Sequence, residues 1–191
     1  MSIVTKTGDD GYTDIIGEER LPKDHPLLEC LGVIDELNSF LGEAKAAAAL
    51  AEGRTIRPSA EIIEGIQKDL FTLMGVIAGM PVPDGGIGED RLNILIEKLE
   101  SELPPFAEFA VPGINPVSAK LHVARTVCRR AERRLVGLGR VKKTETAVVR
   151  YINRLSDLLF LLAQRECRII ESVPKPVVLE QALTVSRAKA L

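Results

Sequence analysis

From Thr144 to Glu171 the chain runs without a glycine or a proline, and apolar residues recur at Val148, Ile152, Leu155, Leu159 and Leu162. That three-and-four spacing predicts one amphipathic α-helix, roughly 40 Å long at about 1.5 Å per residue. Three further stretches carry the same period: Leu27 to Ala48 after Pro26, Ile62 to Ile77 after Pro58 and Ser59, and Leu121 to Leu138 after Val117 and Ser118. A shorter one is marked by Leu92, Leu95, Leu99 and Leu103. Asp24 is the expected cap of the first, Gly53 its end, and MPVPDGGIG the stop of the second. No strand alternation, βαβ rhythm or internal repeat accompanies them, so the expected architecture is all-α, a five-helix bundle.

Two segments stand outside the bundle. Residues 1–23 place Gly8, Gly11 and Gly17 among threonines and charged residues and read as a glycine-rich arm. Between the third and fourth helices, PPFAEFAVPGINP is a long loop, because its prolines delete backbone donors. The whole chain, 1–191, is expected to be a single domain, and the tail 172–191 suggests no role.

Aromatics make up 4%, with no tryptophan, so leucine and alanine must build the core, and the composition argues against an aromatic-rich β sandwich or a base-stacking platform. The formal net charge of −2 excludes a globally basic nucleic-acid binder. Cys30, Cys128 and Cys167 are odd in number and widely spaced, which speaks against a disulfide framework. No apolar run has the length of a membrane span, and MSIVTKTGDDG lacks the apolar core of a signal peptide. The expected location is cytoplasmic, with neither nucleic acid nor membrane as partner.

Charge is concentrated locally. Residues 125–134 hold five arginines and one glutamate, a local +4. Arg125, Arg129 and Arg133 follow one another at i, i+4 and i+8 and form a stripe. Like charges at that spacing repel, so the stripe is either a solvated face laced with Glu132 or a site for carboxylates or a bound phosphate, which the guanidinium fork suits. The arm adds Thr5, Lys6, Thr7, Gly8 and Thr13, the hydroxyls, ammonium and close backbone approach that a polyphosphate cradle uses, although no P-loop motif is present. Asp35 and Asn38 fall among Ile34, Leu37 and Leu41; a carboxylate on that core-facing stripe predicts a buried contact with an arginine. Asn153, Ser156 and Asp157 form a polar seam on the fifth helix, open to interhelical hydrogen bonding or to a site. His25 and His122 read as structural, and Cys128 falls on the core side. No Ser-His-Asp or Cys-His arrangement can be built, so any chemistry here depends on positioning and charge neutralisation.

Taken in order, TKTGDDGYTDIIG, PKDHP, GVIDELNSFLG, ARTVCRRAERR and RYINRLSDLLFLLA resemble the signature of ATP:cob(I)alamin adenosyltransferases of the propanediol-utilisation type, from residue 3 to about 165. The resemblance implies a homotrimer of five-helix bundles with ATP sites between subunits. The Co(I) of cob(I)alamin attacks C5′ of ATP, and triphosphate leaves. Mg²⁺ would be held mainly by the ATP phosphates, with no metal ligand from the protein. It assigns ATP contacts to Thr5, Lys6, Thr7, Gly8, Thr13, Lys23, Arg129, Arg130, Glu132, Arg133 and Asn153. It also assigns Asp35 and Arg125 to a pair supporting the subunit interface and corrinoid site, and Phe109 to displacing the lower corrin ligand. Implied partners are a corrinoid reductase and an adenosylcobalamin-dependent enzyme. Two departures stand out. Ile114 occupies the second glycine of the family's F-x-x-P-G-G loop, where a positive φ would strain it. Asp10 stands where a lysine is common, which predicts a slightly weaker attraction for phosphate. A non-catalytic ATP or corrinoid carrier or sensor on the same bundle is the alternative, motivated by Ile114.

Overall fold

A proline at the first position of a helix loses nothing, because its missing N–H would find no intrahelical acceptor there. Pro26, Pro58 and Pro116 each open a helix in this way. The computed structural model describes residues 4–16, 20–50, 58–105 and 110–171. Among these, five helices follow the arm: α1 (Pro26–Leu50), α2 (Pro58–Ile77), α3 (Glu89–Glu102), α4 (Pro116–Leu138) and α5 (Thr146–Glu171). The five-helix reading holds. The tail 172–191 and the expected stop at Gly53 lie outside the described residues.

Two local expectations change. The start of α1 is capped by His25, whose Nδ1 accepts the Leu27 N–H at 3.2 Å; the imidazole nitrogen satisfies the orphan donor for which Asp24 was expected. The arm, where no strand was expected, holds one short pairing. Tyr12–Thr13 (β1) and Leu21–Pro22 (β2) pair antiparallel, Tyr12 opposite Pro22 and Thr13 opposite Leu21. Strands of two residues show no alternation that a sequence pattern could register.

α1 packs on α2 and α4, α4 also on α5, and α5 on α3 and only lightly on α2. Leu27, Cys30, Ile34, Leu37 and Leu41 of α1 meet Leu121, Ala124, Cys128, Ala131 and Leu135 of α4 and Ile152, Leu155, Leu159 and Leu162 of α5 in one buried core. Small residues on α4 permit close approach of its neighbours. Among the described residues no helix is long and apolar enough to cross a membrane.

Asp69 on α2 ties in the outer helices. Its Oδ2 accepts the hydroxyl of the fully buried Tyr151 (α5) at 2.7 Å and pairs with Arg91 of α3. Burial and the nearby Asp69 charge push the Tyr151 phenol up, so it stays a donor. Gly88, which precedes α3, has φ +90°, and a Cβ there would lie 2.6 Å from Asp69 Oδ2. Only glycine fits. Tyr151→Phe keeps the ring and deletes this bond to a charged acceptor, so it should lower stability by about 1.5–3 kcal/mol. At this size each kcal/mol lowers Tm by about 2–4 °C, and an unchanged melting curve would contradict the assignment.

Candidate functional site: the divided arginines of α4

The two sides of α4 use their cations differently. Toward α1, acids at heptad spacing meet bases running the other way: Glu29 pairs with Arg134 at 3.1 Å, Glu36 with Arg130, and Glu43 with Lys120 at 2.6 Å. The reversed order shows that the helices are antiparallel. These pairs are partly exposed and individually worth little. Their consequence is that Arg130 and Arg134 already hold carboxylates.

On the other side lie Arg125, Arg129 and Arg133. Among the described residues none of the three is paired with a carboxylate: Arg133 Nη1 donates to the Arg129 carbonyl at 3.0 Å, and the Nε of Arg125 is buried without an acceptor. Glu132, the acid nearest in sequence, accepts from Asn153 Nδ2 of α5 at 2.8 Å instead. The stripe therefore keeps its charge. In the seam, Asn153 bridges helices, Ser156 bonds back to the Asn153 carbonyl at 3.0 Å, and Asp157 is exposed.

Among the described residues neither a thiol nor His122 is placed as an exposed nucleophile beside the stripe. Cys128 is fully buried and donates to the Ile152 carbonyl at 3.3 Å; burial pushes its thiol up, and does the same to Cys30, to about 11. His122 is 4% exposed and meets Phe160 edge to face, with ring centroids 6.2 Å apart.

The arm forms a small structured loop. Thr5 and Thr7 hydroxyls lie 3.0 Å apart, Lys6 takes φ +61°, and Lys23 Nζ donates to the Gly8 carbonyl at 2.7 Å. Thr13 lies in β1. Among the described residues no hydrogen bond or ion pair joins this loop to the α4 arginines of the same chain. Asp24, one residue beyond Lys23, lines a cleft of about 520 Å³ together with Glu29, Arg133 and Arg134.

A model of the family described as cobalamin adenosyltransferase matches residues 3–166. The chain belongs to this family. Among its relatives, a corrinoid adenosyltransferase of Citrobacter freundii is 40% identical over 179 residues, covering 90% of this chain and 96% of its own. The corrinoid adenosyltransferase PduO of Salmonella typhimurium is 38% identical over 173 residues, covering 87% of this chain but 50% of its own. A variant PduO-type ATP:corrinoid adenosyltransferase from Lactobacillus reuteri, solved with cobalamin and ATP, superposes with a TM-score of 0.79 at 32% identity over 89% of this chain and 96% of that one.

Within this cobalamin adenosyltransferase fold, two expectations from the sequence need correcting. Asp35 is exposed, its neighbour on the apolar stripe being the buried Asn38, and among the described residues no ion pair joins it to Arg125. A carboxylate one position off the Ile34–Leu37–Leu41 stripe turns to water and avoids desolvation. At the loop before α4, Gly113 carries the positive φ of +111° and Ile114 does not, so the substitution of the second glycine stores no strain. Phe106 and Phe109 lie outside the described residues.

Sequence reasoning also missed two groups. One is Arg20, which holds Asp10 in the arm at 2.9 Å; its position between two strands too short to recognise concealed it. The other is a buried knot below the loop. Glu166 of α5, fully buried, accepts the Ser59 hydroxyl at 2.6 Å, its carbonyl accepts Asn115 Nδ2 at 3.1 Å, and Asn115 Oδ1 caps α4 through the Ser118 N–H at 2.9 Å. A glutamate at an apolar register of α5 was the available signal.

Burial, and then the Arg125 charge, lower the pKa of His122 below its ordinary value of 6.5. The unfolded chain thus binds more protons than the folded one just below about pH 6.5, and stability falls as pH drops through that value. Urea unfolding near pH 7.5 and 5.5 should show a smaller loss for His122→Phe than for the wild-type chain. Equal losses would contradict a neutral buried imidazole.

Proposed function

We propose that this chain transfers the 5′-deoxyadenosyl group of ATP to the Co(I) of a reduced corrinoid, forming adenosylcobalamin and releasing triphosphate. The observation that carries the reading is the unpaired stripe of Arg125, Arg129 and Arg133, kept free by the pairing of Glu36 with Arg130 and of Glu132 with Asn153. The names of its relatives and the cobalamin and ATP complex of the Lactobacillus reuteri protein support it.

The corrinoid is a substrate and brings its own nucleophile. Its cobalt electron pair forms the Co–C5′ bond as the C5′–O bond breaks, and the electrons of that bond leave on triphosphate. The protein's task is to align the two substrates and stabilise the negative charge that develops on the leaving oxygen. Arg129 and Arg133, with Lys6 and Lys23 from the arm, supply cations suited to this; Thr5, Thr7, Gly8 and Thr13 supply hydroxyls and backbone approach. Arg130, Glu132 and Asn153 complete the ATP contacts, Arg130 and Asn153 by orienting around their acids. Mg²⁺ would be held mainly by the ATP phosphates.

A homotrimer with ATP sites between subunits accounts for the separation of arm and stripe in one chain. The same boundary offers exposed Asp35 a partner in Arg125, whose Nε lacks an acceptor. Phe109 would displace the lower corrin ligand, and a reductase must supply Co(I). The carrier reading loses its motive, since Ile114 is not strained.

Anaerobic incubation with cob(I)alamin, ATP and Mg²⁺ should bleach the Co(I) absorption and yield adenosylcobalamin; a folded protein that gives no product would contradict the proposal. Arg129→Ala should lower kcat/KM by about a hundredfold or more, the size of loss seen when one donor to a developing charge is removed. Because Arg129 holds no structural carboxylate, its Tm should stay unchanged. Activity within twofold of wild type would exclude Arg129 from the site.

A further inference from the structure

A loop that binds a polyphosphate must turn its carbonyl oxygens away from the ligand and leave its N–H groups and hydroxyls facing it. In the arm this sorting is already done. Lys23 takes the Gly8 carbonyl with its ammonium at 2.7 Å and the Gly11 carbonyl with its own N–H at 2.9 Å. Arg20 takes two more: its Nη2 donates to the Thr7 carbonyl at 2.5 Å and the Tyr12 carbonyl at 3.4 Å. The same guanidinium forks onto Asp10, at 2.9 and 3.1 Å, and its Nε faces Asp14 at 3.5 Å. Asp10 in turn accepts the Tyr12 N–H at 3.1 Å. Lys6, inside this clasp, takes φ +61°, which a non-glycine residue holds only when its surroundings impose it. Among the described residues the N–H groups of Thr7 and Gly8 have no acceptor, whereas those of Asp9 and Gly11 close turns onto the Lys6 and Gly8 carbonyls and that of Asp10 faces its own carboxylate.

We propose that Arg20 is a positioning residue for ATP: by clasping Asp10 and the carbonyls of Thr7 and Tyr12, it holds the Thr5–Gly11 loop in the shape that presents N–H groups and hydroxyls to the triphosphate. The inference rests on the arm being the ATP site. Asp10 then has a role opposite to the one its charge suggests. Near a triphosphate an aspartate repels; here its carboxylate anchors the cation that shapes the loop, and the hydrogen bond from Arg20 lowers its pKa.

The sign of one substitution separates repulsion from anchoring. Asp10→Asn adds one unit of positive charge beside the site and can still accept from Tyr12, so charge alone predicts tighter ATP binding. Loss of the clasp predicts weaker binding. In calorimetric titrations of the full chain with MgATP, Arg20→Ala should weaken binding about tenfold, a cost of misplacement rather than of a lost ligand. Arg20→Lys, which keeps the charge but not the fork, should fail to restore it, and Asp10→Asn should also weaken it. The KM for cob(I)alamin and the Tm should stay at wild-type values, because the pair is exposed. ATP binding by Asp10→Asn as tight as wild type, or full rescue by Arg20→Lys, would overturn the proposal. Wild-type protein that binds no ATP would overturn the reading of the arm itself. Wild-type protein that binds ATP without turning over would overturn the adenosyl transfer, and the same titrations would still decide the role of Arg20.

Discussion

The antiparallel contact between α1 and α4 decides what the rest of the molecule can do. α4 carries more positive charge than a helix face holds comfortably, since neighbouring arginines four residues apart repel. The contact divides that charge. Glu29, Glu36 and Glu43, one heptad apart on α1, take Arg134, Arg130 and Lys120 in turn. Arg125, Arg129 and Arg133, rotated away from α1, are left without carboxylates among the described residues. Binding an anion there requires no ion pair to be broken first.

The same sorting runs through the neighbouring elements. Asn153 holds Glu132, the acid nearest to the free arginines, at 2.8 Å. The arm, joined to the start of α1 through a segment capped by His25, ties its carbonyl oxygens to Lys23 and Arg20 and leaves N–H groups unclaimed. Every thiol is buried, and no metal nest exists among the described residues. A reaction whose nucleophile belongs to a substrate and whose product carries several negative charges suits such an inventory.

The helical frame was legible in the sequence because burial imposes a period that apolar residues must obey: Leu27 to Leu41, Leu121 to Leu138 and Val148 to Leu162 all occupy the core as their spacing predicts. The arginine stripe was legible for the same reason, as a periodicity of charge. What escaped lay in contacts between segments remote in sequence. That Arg130 pairs with Glu36, and Arg129 with no acid among the described residues, depends on the rotation of α4 against α1. The Asp10–Arg20 clasp depends on a hairpin of two-residue strands. Asp35 misled because one position on a helix, about 100°, separates a core register from a solvated one. The buried knot of Ser59, Asn115, Ser118 and Glu166 joins α2, α4 and α5, and only the fold brings those residues together.

In the proposed reaction the free arginines and the arm stabilise triphosphate as one intact leaving group while C5′ passes to cobalt. Phosphorus NMR of a completed anaerobic reaction tests this most directly. Tripolyphosphate should appear in a one-to-one ratio with adenosylcobalamin, with no ADP, AMP, orthophosphate or pyrophosphate formed in step with it. Adenosylcobalamin accompanied by orthophosphate and pyrophosphate from the outset, or ADP in place of tripolyphosphate, would contradict it.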